Sequence, residues 1–343
     1  MKLEQLIRPW IADLKPYSSA RDEFSGSKDG ITFLDANENP FETGVNRYPD
    51  PRQRSLKAVL AKEKGVSQEQ LILGNGSDEI LDLLFRIFCE PGQDKVMILP
   101  PTYGMYKVLA DINRVECQVV PLDEDFQPDV DSILEEITPQ TKIIFLCSPN
   151  NPTGNLMAPE RIRKILDQTS CVVVIDEAYI DFSGSSSWSE QLENSPRLVV
   201  IQTLSKAYGL AGIRLGMALA NPVVVEAMNR IKPPYNVNQL TQERALERLD
   251  SGLGTEVEEI LTQRDELARS LADIHFVKEV FPSDANFILI RVDDGPGRYR
   301  EIMDRGIVLR DRSTQHGCEN TLRITVGTPS ENQQLIKVLK QIS

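Results

Sequence analysis

The segment TLSKAYGLAGIRLG, residues 203–216, contains a lysine and an arginine whose surroundings favour chemistry. Lys206 follows the apolar run LVVIQ and lies among small and apolar residues. Partial removal of a lysine amine from water lowers its pKa, and the neutral amine can form a Schiff base with a carbonyl group. Arg214, with the hydroxyls of Thr203 and Ser205, offers hydrogen-bond donors that suit a phosphate. The segment therefore predicts an imine-forming amine next to a phosphate site.

A carboxylate occupies the end of a second apolar run, in CVVVIDEAY. Asp176 follows four apolar residues there, so we expect it to be poorly hydrated. Such a carboxylate needs a cation or hydrogen-bond donors nearby, and a protonated ring nitrogen meets this need. A metal ion would require several further carboxylate or histidine ligands, and the chain has only His275 and His316. We therefore expect no metal site.

Polar and aromatic residues follow three other apolar runs. In GNGSDEIL, glycines permit a tight turn before a helix, whose free N–H groups at Ser77 and Asp78 attract an anion. Tyr103 follows a Pro-Pro pair, where an aromatic ring can stack on a flat ligand. Asn151, in SPNNPTG, can hydrogen-bond a ring hydroxyl. Each of these segments taken alone is more typical of a capped turn or a packed side chain.

These features together satisfy the needs of pyridoxal phosphate. They supply a phosphate cradle, an aromatic stack, a donor to the ring hydroxyl, a carboxylate for the ring nitrogen and an amine. Pyridoxal phosphate reacts through a lysine Schiff base and needs an acidic partner at its ring nitrogen. A dinucleotide site is not supported, because Glu79 replaces the third glycine of G-x-G-x-x-G, and no G-x-x-x-x-G-K-[ST] loop occurs.

Short apolar runs that alternate with amphipathic segments must position these residues. Such runs are typical of strands buried on both faces, and their alternation with helices predicts βαβ units in a mostly parallel sheet. Ligands bind beyond the carboxyl ends of these strands, where all the features lie. The predicted strands are 71–74, 95–100, 116–121, 142–149, 171–179, 198–205 and 214–220, and the predicted helices between them are 77–89, 102–113 and 158–169.

The pattern changes after about residue 221. Charged helical segments precede the short alternating runs FVKEVFPS, NFILIRV, GIVLRD and TLRITVG and a terminal helix, SENQQLIKVLKQI. This pattern predicts a second, smaller α+β domain. We therefore expect a large cofactor-binding domain over residues 41–245, an N-terminal arm over residues 1–40 and the small domain over residues 246–343.

The composition limits the partners and the location of the protein. The 343 residues include 38 basic and 51 acidic side chains, and the net charge of −13 argues against general binding of nucleic acid or anionic membranes. The five cysteines form no C-x-x-C pair, so we expect reduced thiols in the core. No run of about 18 apolar residues occurs, and the charged start MKLEQLIRPWIADLKPY lacks the apolar region of a secretory signal. We expect a soluble, cytoplasmic protein.

The ordered motifs NNPTG (150–154), DEAY (176–179) and SKAYGLAGIRLG (205–216) resemble those of the fold-type I pyridoxal-phosphate aminotransferases. Four further segments are similar to the histidinol-phosphate aminotransferase branch of that family: KPYSSAR (15–21), LDANENPF (34–41), NRYPDP (46–51) and LRITVGT (322–328). The resemblance implies an α/β fold, with a three-layer α/β/α large domain and a smaller α+β domain. It also implies amino transfer from L-histidinol phosphate to 2-oxoglutarate, giving imidazole-acetol phosphate and L-glutamate in histidine biosynthesis.

The resemblance implies a role for each candidate in the cofactor site. Lys206 forms the imine with the cofactor and moves the proton during the transfer. Asp176 pairs with the ring nitrogen, and Tyr103 stacks on the ring. Asn151 and Tyr179 bond the ring hydroxyl. The phosphate is held by the backbone N–H groups of Ser77 and Asp78 and by Thr203, Ser205 and Arg214.

The resemblance also implies contacts with the substrate and with a second subunit. Arg323, helped by Arg310, binds the anionic group of the substrate, and Tyr17 and Asn37 line the substrate pocket. Tyr48 reaches the cofactor phosphate of the neighbouring subunit, which implies a homodimer with shared active sites. Histidinol phosphate carries a phosphate where glutamate has its α-carboxylate, and an arginine fork accepts either anion.

Other proteins of the same scaffold remain alternatives at this point. A threonine-phosphate decarboxylase also binds a phosphorylated substrate, and an aromatic amino acid aminotransferase shares the cofactor chemistry, so Arg323 excludes neither. A non-catalytic regulator would carry an added DNA-binding module, and the roughly 33 residues before LDANENP are too few for one.

Overall fold

The structure, a computed structural model, describes residues 3–15 and 31–342. A seven-stranded sheet has the order β1-β7-β6-β5-β4-β2-β3, and its strands are β1 Leu71–Asn75, β2 Lys95–Ile98, β3 Glu116–Val119, β4 Thr141–Cys147, β5 Val172–Asp176, β6 Leu198–Thr203 and β7 Leu215–Ala220. Strand β7 is antiparallel to both of its neighbours, and the other pairs are parallel. The mostly parallel sheet that the sequence predicts is confirmed.

The apolar runs form strands because helices cover both faces of the sheet. In β5, Val173 and Ile175 pack into one hydrophobic cluster, whereas Val172 and Val174 pack into a second cluster. The helices are α1 Pro9–Ala12, α2 Arg54–Lys64, α3 Gly76–Phe88, α4 Met105–Ile112, α5 Val130–Glu136, α6 Pro159–Gln168, α7 Pro222–Ile231 and α8 Gln239–Ser251. The three-layer α/β/α architecture agrees with the resemblance.

Two local features differ from the sequence prediction. The sequence prediction does not include helix α5. Asp129 caps this helix, because its side chain accepts a hydrogen bond from the Ser132 N–H at 3.2 Å. The strand predicted over 171–179 ends at Asp176, because the chain turns there. This turn leaves Tyr179 beyond the strand, next to the carboxyl edge of the sheet.

A second sheet follows in the C-terminal part. Its antiparallel strands are β8 Val277–Val280, β9 Phe287–Val292, β10 Arg310–Asp311 and β11 Thr321–Thr325, in the order β10-β11-β9-β8. Helices α9 Glu256–Ala272, α10 Gly295–Met303 and α11 Pro329–Lys340 accompany it. The run GIVLRD contributes only the two residues of β10 to the ladder.

Strand β9 joins the two sheets through its two faces. Phe287 and Leu289 pack into the cluster that covers one face of the large sheet. Ile288 and Ile290 point the other way, into the separate core of the small sheet. Arg323 of β11 lies opposite Leu289 in the ladder, so this packing places Arg323 beside the large sheet.

Two observations bear on the expected domain bounds. The boundary after residue 245 falls inside α8, and Ala245 packs into the large-sheet cluster, so we propose that the large domain extends to the end of that helix. Leu3 and Ile11, from the expected arm, also pack into a cluster of the large sheet.

Within the described ranges, no helix is long and apolar enough to cross a membrane.

Candidate functional site

A pocket at the carboxyl ends of the large-sheet strands gathers most of the predicted site residues. We call it the strand-end pocket. The predicted residues that line it are Ser77, Asp78, Tyr103, Asn151, Asp176, Tyr179, Thr203, Ser205, Lys206 and Arg214. They come from six separate segments, and parallel strands bring these together because their carboxyl ends share one edge.

Lys206 lies in the turn that follows β6, at the mouth of the pocket. Its Nζ is 5.4 Å from the centroid of the Tyr179 ring. Partial burial of the amine and the charge of Arg323 lower the pKa of Lys206, whereas the carboxylate of Asp176 opposes the shift. A larger fraction of this amine is therefore neutral near pH 7 than in an ordinary lysine, as a nucleophilic amine requires.

Asp176 ends β5 as a buried carboxylate. Its Oδ2 accepts a hydrogen bond from the Tyr106 hydroxyl at 2.9 Å, and its Oδ1 accepts one from the Ala178 N–H at 3.1 Å. Burial raises the pKa of Asp176 to about 6, although these two hydrogen bonds favour the ionised form. A cationic group in the pocket would stabilise the carboxylate, because an ionised group with few donors is costly to bury.

The register of β1 and β7 builds an anion cradle from two turns. Gly74 lies opposite Gly216, so the turn after β1 meets the turn before β7. The N–H of Gly76 donates to the carbonyl of Arg214 at 2.8 Å, and a φ of +76° at Gly76 favours glycine. A Cβ at Gly216 would lie 2.3 Å from the backbone nitrogen of Ser77, so only glycine permits this approach. The N-terminus of α3 and the Arg214 guanidinium therefore face one space.

Hydroxyl groups complete the cradle on the side of β6. The N–H of Ser205 donates to Thr203 Oγ1 at 3.1 Å, and the Thr203 hydroxyl lies 3.1 Å from the carbonyl oxygen of Leu215. Both side chains are therefore held beside the start of β7, next to Arg214. This group of donors can hold a phosphate by hydrogen bonds and by charge.

Asp78 organises the other wall of the pocket. Its Oδ1 accepts a hydrogen bond from the Tyr103 hydroxyl at 3.0 Å, and its Oδ2 lies 3.5 Å from Arg214 Nη2. The Tyr103 ring meets the Tyr106 ring edge-on, with the centroids 5.6 Å apart. These contacts hold the aromatic ring of Tyr103 at the edge of the pocket.

Asn151 connects the strand-end pocket with the small sheet. Its Oδ1 accepts a hydrogen bond from Arg323 Nη1. The Arg323 guanidinium lies 5.2 Å from the centroid of Phe287, and the Phe287 ring packs edge-on against Tyr179 at 5.0 Å. The packing of β9 on the large sheet thus brings a cation from the small domain to the open side of the pocket.

Three arginines in and next to the second sheet form a group that we call the arginine face: Arg310, Arg312 and Arg323. Arg310 lies opposite Arg323 in the β10–β11 ladder, and both line one groove. Burial and the charges of Arg323 and Arg310 lower the pKa of Arg312 to about 10. The sequence analysis predicts Arg310 and Arg323 as substrate-binding residues and does not include Arg312.

The remaining predictions fall elsewhere. Asn37 and Tyr48 line a different surface groove, whose lining does not include Lys206, and the Tyr48 ring stacks on Tyr235 with the centroids 4.5 Å apart. Their assigned roles remain predictions. Tyr17 lies outside the described residues.

Sequence reasoning missed Cys147 and Ala178, which line the strand-end pocket, and Tyr106, which contacts Asp176 from outside it. The Tyr106 hydroxyl donates a hydrogen bond to Asp176. Tyr106 follows Tyr103 by three residues, and this spacing places both rings on one side of the chain where it enters α4. Cys147 lines the pocket because it is paired with Asp176 in the β4–β5 register. The spacing of the two tyrosines was a usable signal, whereas the place of Cys147 depends on the strand order.

The donor set of the pocket fits pyridoxal phosphate. A buried carboxylate that lacks a cationic partner among the described ion pairs faces the same space as an amine and an anion cradle. A protonated ring nitrogen, an aldehyde and a phosphate complement these three groups in turn. Among the described residues, no group of three or more histidine, cysteine, aspartate or glutamate side chains is arranged to hold a metal ion.

Comparisons with known proteins agree with this geometry. The family model of the class I and II aminotransferases matches residues 35–339. The histidinol-phosphate aminotransferase of Flavobacterium johnsoniae is 55% identical over 99% of this chain and 99% of its own length. The crystal structure of the histidinol-phosphate aminotransferase from Clostridium acetobutylicum superposes with a TM-score of 0.80 at 25% identity, over 87% of this chain and 91% of that one. The fold also resembles that of the Sinorhizobium meliloti histidinol-phosphate aminotransferase in complex with pyridoxal-5'-phosphate, with a TM-score of 0.78 at 24% identity, over 87% and 84%.

Proposed function

This chain belongs to the class I and II aminotransferases, and from that premise we propose that it transfers the amino group of L-histidinol phosphate to 2-oxoglutarate. The products are imidazole-acetol phosphate and L-glutamate, in the pathway of histidine biosynthesis. The cofactor is pyridoxal 5'-phosphate. When bound, it supplies an electron sink that stabilises the charge left on the substrate carbon when a proton is removed.

The lining of the strand-end pocket supports a separate role for each residue around that cofactor. Lys206, whose pKa is lowered, would hold the cofactor through its amine, and the same amine would hold and move the proton at the substrate carbon. Asp176 accepts a hydrogen bond from the ring nitrogen and keeps it protonated. Asn151 and Tyr179 bond the ring hydroxyl, and Tyr103 covers the ring.

The anion cradle holds the phosphate of the cofactor. Arg214 supplies a positive charge, and Thr203 and Ser205 supply hydroxyl donors. The first N–H groups of α3, at Ser77 and Asp78, have no partner inside the helix and point toward the same space. Three kinds of donor, a guanidinium, two hydroxyls and two backbone N–H groups, thus fix one end of the cofactor.

Arg323, with Arg310 beside it, binds the anionic group of either substrate. Histidinol phosphate presents a phosphate, and glutamate presents an α-carboxylate at the corresponding position. A guanidinium forms two parallel hydrogen bonds with either anion, so a single fork can serve both half-reactions. Asn37 and Tyr17 are proposed to line the same substrate space.

The observation that carries the proposal is the meeting of Lys206, the buried Asp176 and Arg214 in one pocket. The decisive assay mixes the holoenzyme with L-histidinol phosphate and 2-oxoglutarate and measures the formation of glutamate. Borohydride reduction followed by mass spectrometry should find the cofactor on the peptide that contains Lys206. An adduct on another lysine would show that the site is assigned wrongly.

The same assay separates the alternatives on this scaffold. Threonine phosphate should yield no carbon dioxide, and phenylalanine should react with a kcat/KM at least about tenfold below that of histidinol phosphate, because an aromatic amino acid lacks the phosphate. Release of carbon dioxide from threonine phosphate would identify a decarboxylase. A preference for phenylalanine would identify an aromatic amino acid aminotransferase.

We also propose a homodimer in which Tyr48 of one copy reaches the cofactor phosphate of the other. Exposed apolar side chains that line the Tyr48 groove support it: Val45 is 52% exposed and Leu240 is 62% exposed, and patches of this kind mark interfaces. A mixture of Lys206→Ala and Tyr48→Ala proteins tests the sharing. One site of each hybrid dimer would be intact, so about a quarter of the wild-type activity should return. No recovery would mean that Tyr48 acts within its own chain.

A cytoplasmic location completes the proposal. The five cysteines are all unpaired, as is usual where the medium is reducing. Fractionation of cells that express the protein, with the aminotransferase assay as the readout, should recover the activity in the cytosolic fraction.

A further inference from the structure

The arginine face holds one more cation than the binding of a carboxylate requires. Arg310 and Arg323 face each other across an antiparallel ladder, where like charges destabilise each other. The backbone N–H of Arg312 donates a hydrogen bond to the Thr321 carbonyl at 2.9 Å, and this bond extends the ladder by one residue. Because side chains alternate along a strand, Arg312 lies on the same side as Arg310.

No acid in the described part of the chain neutralises this group. The described ion pairs of neighbouring acids involve other cations, as in Arg298 with Asp293 and Glu301. The adjacent carboxylate, Asp311, accepts hydrogen bonds from the Ser313 N–H at 2.9 Å and from the Ser313 hydroxyl at 2.6 Å. Three guanidiniums are therefore held together without a counter-charge, an arrangement that an arriving anion relieves.

Arg312 in particular has unused hydrogen-bonding capacity. Its Nε is buried and has no hydrogen-bond partner among the described residues. Buried donors without partners are rare in folded proteins and point to a missing ligand or a functional role. The charge of Arg312 opposes the rise that burial causes in the pKa of Tyr179 in the strand-end pocket, and burial and the charge of Arg323 lower the pKa of Arg312, so the donor lies near the substrate space.

We propose that Arg312 is a specificity residue that favours the doubly charged phosphate of histidinol phosphate over the singly charged carboxylate of glutamate. This inference rests on the proposed function. A phosphate monoester carries about −1.5 to −2 charges near pH 7, whereas a carboxylate carries one. The fork of Arg323 with Arg310 already suffices for a carboxylate, so the third cation benefits mainly the ligand with the larger charge and the additional acceptor oxygens.

The test compares the two half-reactions of the holoenzyme in wild type and Arg312→Gln. The KM for histidinol phosphate should rise about 10- to 100-fold in the variant, the loss expected for hydrogen bonds to a charged group. The KM for glutamate should change by less than about threefold. Arg312→Lys, which keeps the charge but loses the fork, should give an intermediate KM. Arg305→Gln, which removes an exposed charge of the same domain, should change neither KM.

A pH comparison separates this role from a structural one. The second pKa of a phosphate monoester is near 6, so the wild-type KM for histidinol phosphate should fall between about pH 5.5 and pH 7.5 as the dianion forms. This fall should be smaller in Arg312→Gln. An equal rise of the KM for both substrates, or an unchanged KM for histidinol phosphate, would overturn the inference. Absence of histidinol phosphate turnover in the wild type would instead contradict the proposed function.

Discussion

The strand-end pocket and the arginine face differ in how their charges are balanced. In the pocket, Arg214 lies beside Asp78, and the amine of Lys206 shares the space with Asp176. On the arginine face, cations of the small domain lie together, and no described acid forms an ion pair with them. The first region is close to electrical balance, whereas the second carries an excess of positive charge.

The difference corresponds to how long each region holds the ligand that we propose for it, which is the cofactor in the pocket and the substrate anion on the arginine face. A resident cofactor remains through many turnovers, so the surrounding charges can be matched to it permanently. Substrate anions enter and leave in each half-reaction, and an uncompensated cation attracts them without first breaking an internal ion pair. Changes in the pocket should therefore affect the chemical step, and changes on the arginine face should affect substrate binding.

Loss of Lys206 provides the most severe test of this comparison. Lys206→Ala removes both the nucleophilic amine and the group that moves the proton, so kcat should fall by about 10⁴-fold or more. Single-turnover kinetics with histidinol phosphate measure the loss. Lys107→Ala, which removes an exposed lysine of α4, is the matched control and should retain full activity. Activity of Lys206→Ala within tenfold of wild type would exclude its assigned role.

Truncation of Arg323 tests the other region. Arg323→Ala should weaken both histidinol phosphate and glutamate by about 2–5 kcal/mol, because each loses a charged hydrogen-bond partner in a half-buried site. Steady-state KM values for both substrates measure the effect. An effect on only one substrate would mean that phosphate and carboxylate bind at separate places, and the arginine face would then serve only that one.

Neutralisation of Asp176 should reduce the chemical step with little change in substrate binding. Asp176→Asn removes the charge that keeps the ring nitrogen protonated, so kcat should fall by about 10²-fold or more. Glu177→Gln is the matched control, since this neighbouring buried carboxylate bonds Ser187 and Gln202 and lies outside the pocket. Its kcat should stay within about threefold of wild type. Equal losses in the two variants would indicate a general effect of removing a buried charge.

Removal of the Tyr106 hydroxyl should give the smallest effect. Burial raises the pKa of Asp176 from 3.8 to about 6, and the Tyr106 hydrogen bond opposes that rise. The folded apoprotein therefore holds a proton that the unfolded chain has lost, so its free energy of unfolding should fall as the pH rises from about 4 to about 6. In Tyr106→Phe the pKa rises further, and the fall should extend above pH 6 with an additional loss of about 1 kcal/mol.

Urea unfolding of the apoprotein at pH 5 and pH 8 measures this prediction. The difference between wild type and Tyr106→Phe should be larger at pH 8, where the carboxylate is ionised and needs the donor. A difference that is the same at both values would assign the effect to packing of the buried ring.

Ten of the residues that the sequence analysis selects line the strand-end pocket, and their roles there remain predictions. The substrate-side candidates lie apart, because Arg310 and Arg323 line one groove and Asn37 lines another. Lys206, Asp176 and Asn151 each follow an apolar run, so a local pattern locates them at strand ends. Arg312 lacks such a signal, because the role proposed for it depends on the pairing of β10 with β11. Asn37 and Tyr48 lie in a groove of their own, and the role proposed for Tyr48 requires a second subunit.

The sequence by itself determined the alternation of buried strands with helices, and with it the edge of the sheet where the polar residues collect. It did so because apolar periodicity and turn residues are local properties of the chain. Only the tertiary structure decided that β7 runs antiparallel, which brings Arg214 against the turn at Gly76. The packing of Phe287 and Leu289 of β9 on the large sheet, a contact between distant segments, likewise brought the arginine face to the pocket.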